Sequence, residues 1–130
     1  MKSFKKYYTI PALPEEVYLA LTNPLTLQLW TGEEATMSTE RDSEFSLWSG
    51  SITGKNIEFE IDKKIVQQWY FGDADSQEAE KSIVTIKLHA DPKGTSVELR
   101  HSNIPDGDYD DIVDGWNEAY FGALTEFYEE

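Results

Sequence analysis

The sequence predicts an α+β domain: a curved antiparallel sheet of six to seven strands closed over one long C-terminal helix, with two short helices after the first strand. Three observations predict it. Along residues 45–69, FSLWSGSITGKNIEFEIDKKIVQQW, apolar residues alternate with polar ones and every interruption is a turn residue, as in consecutive hairpin strands. Near the C-terminus Tyr109, Ile112, Val113, Trp116, Tyr120, Ala123, Leu124 and Phe127 recur at three- and four-residue steps, the spacing of one helical face. Two proline-led segments after residue 10 carry helix-start signals.

Residues 4–10 form the first strand, ended by Pro11. Pro14 and the acidic pair Glu15 and Glu16 then open a helix whose apolar face is Val17, Tyr18, Leu21 and Leu25. Asn23-Pro24 breaks it and starts a second short helix, with Leu25, Leu27, Leu29 and Trp30 as candidates for burial, until Thr31-Gly32 ends it. A weak strand at 35–39 and a polar turn at Arg41-Asp42-Ser43 lead into a strand at 44–49. There the alternation is ambiguous: Phe45 and Leu47 share one face and Trp48 takes the other, so at least one large apolar side chain must lie at an edge or beneath another element.

Ile52 is out of phase with Ile57, Phe59 and Ile61, so a strict period of two cannot place all four on one face. A bulge near Gly54 reconciles them, and would bend the sheet. After the turn at Lys63-Lys64, a strand covers 65–71. Residues 72–81, GDADSQEAEK, read as a mobile polar loop. Two further strands follow at 82–90, with Val84, Ile86 and Leu88 inward, and at 95–103, with Val97, Leu99 and His101 inward. The turn Asp91-Pro92-Lys93-Gly94 joins them. His101 and Asn103 are both placed toward the interior. The last helix carries Asp108, Asp110 and Asp111 at its positive dipole end. Gly115, Ala119 and Gly122 form a stripe of small residues, which marks either a close approach by sheet or ligand or simple tolerance.

At 130 residues the chain is expected to be one domain, able to withdraw roughly two thirds of its unfolded surface from water. It has no cysteine, so disulfides and thiolate chemistry are excluded. No apolar stretch approaches the roughly 20 residues of a membrane span, and the first residues lack a signal-peptide core; a cytoplasmic protein without membrane insertion is expected. The balance of 25 acidic to 11 basic residues, net −14, opposes binding to nucleic acid and anionic lipid. Nine Asp or Glu and no Lys or Arg follow residue 105. That acidic face is either a solvating surface or a dock for a basic partner.

Gly50-Ser51-Ile52-Thr53-Gly54-Lys55 fails as a phosphate loop, because its glycines are one residue too close and Asn56 stands where Ser or Thr is required. Asp106, Asp108 and Asp110 imitate a calcium loop, but Asp111 replaces the required Gly and Asn117 the bidentate Glu. The histidines, His89 and His101, fall on separate strands without cysteine, so no metal site is assigned. His89 is expected to be exposed. His101 is either a histidine satisfied at a strand end or a ligand-orienting, acid–base group. No local pattern pairs a nucleophile with a base, so no catalytic residue and no cofactor are assigned. Most of the seventeen Phe, Tyr and Trp residues must be core, yet such side chains with a few polar groups among them also line ligand cavities.

The stretches PEEVYLALTNP, LQLWTGEEATM, FSLWSGSITGKNIEF, KKIVQQWYF and GWNEAYFGALTEFY carry a family likeness over nearly all of the chain. Its most specific pieces are Trp30-Thr31-Gly32, the run from Phe45 to Gly54, Ile65-Val66-x-x-Trp69 and Gly115-Trp116. The element order resembles the START-like superfamily (SRPBCC, helix-grip, Bet v 1-like). More narrowly, the stretches resemble the domain shared by the C-terminal part of the Hsp90 ATPase activator Aha1 and its single-domain homologues. The resemblance implies a helix-grip fold with a pocket between sheet and last helix. Aha1-like proteins accelerate Hsp90 ATP turnover, relying strongly on a separate N-terminal domain; the wider superfamily includes binders of lipids, sterols and hormones, and cyclases. A non-enzymatic domain binding a small apolar molecule is therefore the first expectation, with Trp30, Met37, Phe45, Trp69, Trp116 and Tyr120 as walls and His101 as a polar contact. An Hsp90-type chaperone is the alternative partner, and a cyclase-like enzyme using His101 the lesser alternative.

Overall fold

The computed structural model describes residues 2–71 and 80–129. Strand β1 (Lys2–Ile10) is followed by helices α1 (Pro14–Thr22) and α2 (Pro24–Thr31), then strands β2 (Glu44–Leu47), β3 (Ile52–Glu60), β4 (Lys64–Phe71), β5 (Glu80–Asp91) and β6 (Gly94–Ile104). The six strands form one antiparallel sheet in the order β1-β6-β5-β4-β3-β2. The C-terminal helix runs as α3 (Tyr109–Asp114), a π-helical segment (Gly115–Tyr120) and α4 (Phe121–Tyr128). This is an α+β helix-grip fold, a curved sheet around a long C-terminal helix. Among the described residues no helix is long and apolar enough to cross a membrane.

Strands β4, β5 and β6 follow simple alternation. Ile65, Val84, Ile86, Leu88, Val97, Leu99 and His101 all lie on the buried face, each at most 5% exposed. The loop expected at 72–81 lies outside the described residues, except that Glu80 and Lys81 already belong to β5.

Both short helices start and stop on their sequence signals. The Asn23 side chain accepts from the backbone N–H groups of Leu25 and Thr26, Pro24 opens the first turn of α2, and Gly32 closes it in the left-handed region. Leu25 and Leu29, however, are 72% and 70% exposed. They stand four residues apart on the outer face of α2, whereas Leu27 and Trp30 share the inner one.

The strand expected at 35–39 reduces to one bridge, Thr36 with Ser46. Past Met37 the chain folds over Asn56 instead of pairing further. The Asn56 amide donates to the Ser38 carbonyl, its backbone N–H donates to Ser43, and its carbonyl accepts from Asp42.

The phase break in β3 is present, but not at Gly54. The register against β4 shifts between Asn56 and Glu58, so Ile57 is the extra residue. Before it Gly54 and Asn56 face the core with Ile52; after it Phe59 does, while Ile61 enters the turn and is 77% exposed. Gly54 has a different role: a Cβ there would collide with the Gln68 carbonyl of β4 and meet the Phe45 ring at 2.7 Å. A second irregularity, opposite Lys2 and Phe4, falls in β6. There Asn103 takes a φ of 61° and turns out to the surface, so it does not join His101 inside.

The C-terminal helix also breaks phase. Trp116, Tyr120, Phe121 and Leu124 are its buried residues, and Tyr128 packs beside them while Phe127 is 39% exposed. The π turn inserts one residue, so the inward face steps from Tyr120 to Phe121 and then continues at helical spacing.

Candidate functional site

A cleft of about 550 Å³ opens between the C-terminal helix and the β2–β3 end of the sheet. Trp69, Trp116 and Tyr120 form its floor and expose little surface themselves, at 2–4%. Its walls come from Trp48, Ser49, Ser51 and Ile52 on one side and Ile112, Gly115 and Ala119 on the other, with Glu33 and Asp111 at the rim.

The helical wall is open because its residues are small. Gly115 has helical backbone angles, and a Cβ built on it would meet nothing within 4 Å. Gly122 is different: a Cβ there would strike the Asn117 carbonyl, which the π turn brings close. The Asn117 side-chain oxygen accepts from the Tyr8 hydroxyl at 2.8 Å and Lys6 Nζ at 2.9 Å, which ties the π segment to β1. Burial pushes the Tyr8 hydroxyl up to about 12, so it remains a donor at neutral pH.

The sheet wall depends on a left-handed turn. Trp48, Ser49 and Gly50 all have positive φ, at 49°, 54° and 96°. Two non-glycine residues there cost about 1–2 kcal/mol each. The turn is held by Ser49 N–H to the Glu34 carbonyl, Ser51 N–H to the Trp48 carbonyl, and Ser49 Oγ to the Glu33 carboxylate at 3.1 Å. It takes Trp48 out of the strand's alternation and sets its ring 5.9 Å from Tyr120 and edge-on to Trp30 at 6.1 Å.

Beneath the floor the rings stack in a row. Trp69 lies on Trp116 with centroids 4.5 Å apart, Trp116 on Phe121 at 5.6 Å, and Phe121 on Tyr8 at 4.6 Å. Such pairs contribute about 0.5–1.5 kcal/mol each beyond their buried area. The polar edges are satisfied inside. Trp69 Nε1 donates to Gln67, whose amide donates to Asn56 Oδ1. Trp116 Nε1 donates to His101 Nδ1 at 3.0 Å, and an indole nitrogen can only donate, so His101 carries its proton on Nε2. Nε2 donates to Ser82 Oγ at 2.7 Å, and that hydroxyl donates to the Trp69 carbonyl. His101 is thus fully buried and neutral, with burial pulling its pKa down to about 4.

Of the seven residues expected to contact a ligand, Trp69, Trp116 and Tyr120 meet at the cleft. The other four stand elsewhere. Trp30 backs the cleft, its indole N–H bonded to the Ala20 carbonyl and its ring 5.2 Å from Tyr120. Met37 faces a separate groove beside Tyr18 and Phe59. Phe45 packs between Gly54 and Trp69. His101 lies below the floor, oriented toward Trp116 and Ser82. Trp48, Ile52, Ile112, Glu33 and Asp111 are lining residues that sequence reasoning passed over. Two signals pointed toward this cleft: the ambiguous alternation around Trp48 and the small-residue stripe that includes Gly115 and Ala119.

Residues 11–129 match the family described as Activator of Hsp90 ATPase homolog 1-like protein. The "Activator of 90 kDa heat shock protein ATPase homolog" of Dictyostelium discoideum is 33% identical over 116 residues, covering 88% of this chain and 30% of that protein. Its human counterpart, homolog 1, is 27% identical over 115 residues, 87% of this chain and 33% of that protein. The chain therefore spans about a third of the length of the curated relatives it matches. Among solved structures, an Hsp90 activator from Plasmodium falciparum superposes with a TM-score of 0.84 at 28% identity, covering 96% of this chain and 94% of that one. By its sequence over nearly its whole length and by its fold, the chain belongs to the Activator of Hsp90 ATPase homolog 1-like family, within the START-like fold.

Proposed function

We propose that the domain binds a small, largely apolar molecule in the cleft between the C-terminal helix and the β2–β3 turn. The observation that carries this reading is the open space of about 550 Å³ over Trp69, Trp116 and Tyr120, within the 300–1,000 Å³ typical of ligand sites. The absence of a side chain at Gly115 keeps it open. The test is calorimetric titration with 2-naphthylmethanol, a neutral probe small enough for the cleft. Wild type should bind one equivalent, Gly115→Ala should bind comparably, and Gly115→Leu should bind at least tenfold more weakly. No binding to wild type, or equal binding to Gly115→Leu, would reject the reading.

A second reading, in which the domain engages an Hsp90-type chaperone in the cytoplasm, is favoured by the names of its relatives and of the Plasmodium structure. It uses the acidic outer surface instead of the cleft. It predicts salt-sensitive association and an altered chaperone ATPase rate. An unchanged rate at saturating domain, with no detectable complex, would exclude it.

A further inference from the structure

The rim of the cleft determines more than its size. Glu33, from the segment after α2, and Asp111, from α3, are its charged lining residues; among the described residues that line it there is no Lys, Arg or His. Between them stand Trp48 on the wall and Trp69 and Tyr120 on the floor; Trp116, stacked between Trp69 and Phe121, has no free face to offer. Aromatic faces carry negative potential and attract cations, most strongly when the ring is tryptophan. The edges of Trp69 and Trp116 that would favour an anion are turned inward, since both indole N–H groups are bonded to Gln67 and His101. Neither ring can offer its N–H to a carboxylate in the cleft. Of the lining hydroxyls, that of Ser49 already donates to the Glu33 carboxylate. An anionic head group would meet two carboxylates at the rim, with no cationic side chain among the lining residues to balance it.

We infer that the ligand of this cleft carries a cationic head on an apolar or aromatic body: an amine or quaternary ammonium held by the Glu33 and Asp111 carboxylates beside the Trp48 ring. This rests on the cleft being a ligand site, as proposed above, and adds the charge of what enters it. Carboxylate-bearing lipids and acidic aromatics are disfavoured.

The test uses three probes of one shape: (2-naphthylmethyl)trimethylammonium, 2-naphthylmethanol and 2-naphthoate, titrated calorimetrically at low salt. The ammonium should bind about tenfold more tightly than the alcohol and at least a hundredfold more tightly than the carboxylate. The chain's overall charge of −14 would favour any cation, so the rim must be separated from the whole-protein field. In the double variant Glu33→Gln, Asp111→Asn the ammonium should bind within threefold of the alcohol, both probes being measured on that variant because Glu33 also accepts from Ser49 Oγ. In the remote pair Glu126→Gln, Glu129→Gln the preference should persist. Equal affinity for all three probes would overturn the charge inference and leave the cleft reading standing. A preference retained in the rim variant would also overturn it, by assigning the effect to the general field. Failure of all three probes would overturn both.

Discussion

Acidification separates a neutral, buried His101 from any freely titrating histidine. His101 binds its proton at about pH 4 in the folded protein, against about 6.5 in the unfolded chain. Between these values the unfolded state holds more protons, so folding stability falls as pH falls; the contribution is intact above pH 6.5 and lost progressively down to pH 4. From pH 7 to pH 5 the loss from this one residue comes to about 2 kcal/mol. Glu58, whose carboxyl the hydrogen bond to Lys64 holds below its usual range, loses stability with the same sign on acidification. Comparison with His101→Gln removes such shared terms. The variant should be less stable at pH 7 by about 1–3 kcal/mol, because the Trp116 N–H and Ser82 hydroxyl lose a well-placed partner. The diagnostic quantity is the change in that gap, measured by urea unfolding at pH 7, 6 and 5: it should shrink by about 2 kcal/mol by pH 5. A gap independent of pH, or an imidazole that titrates near 6.5 by NMR in the folded state, would refute the Trp116–His101–Ser82 arrangement.

Three glycine and core substitutions test the packing account by thermal or chemical unfolding. Gly115→Ala should stabilise the protein by about 1 kcal/mol, since the position is helical and open. Gly54→Ala should destabilise it by about 3 kcal/mol, because the new methyl meets the Gln68 backbone and the Phe45 ring at once. Leu124→Ala, at a wholly buried site, should cost about 3 kcal/mol. A stabilising Gly54→Ala or a destabilising Gly115→Ala would contradict the roles assigned to these glycines.

How much of this was legible in the sequence depended on whether local periodicity survived the tertiary packing. In β4, β5 and β6 each strand is paired on both sides, and the inward residues could be read by counting in twos. Counting failed where a residue is inserted. The bulge at Ile57, the outward turn at Asn103 and the π turn before Phe121 each shift the phase by one. The inconsistent spacing of Ile52 and Phe59 announced the first, though not its position, because Gly54 serves close strand contact instead of the bulge. Nothing in the helical spacing announced the π turn, since Tyr120 and Phe121 are both apolar and either satisfies the face. The cleft's floor was accessible as a set of large aromatics on facing elements. Of its walls only the small-residue stripe at Gly115 and Ala119 was marked, because Trp48 reaches the cleft through a left-handed turn that strand alternation does not show.

The indole N–H resonances of the four tryptophans report directly on whether the space over Trp116 is a binding site. On titration with 2-naphthylmethanol the signals of Trp48, Trp69 and Trp116 should shift together and saturate at one equivalent. Trp30, bonded to the Ala20 carbonyl behind the cleft, should move least. No saturable shift at any of the three, or a shift at Trp30 as large as at Trp116, would contradict the account.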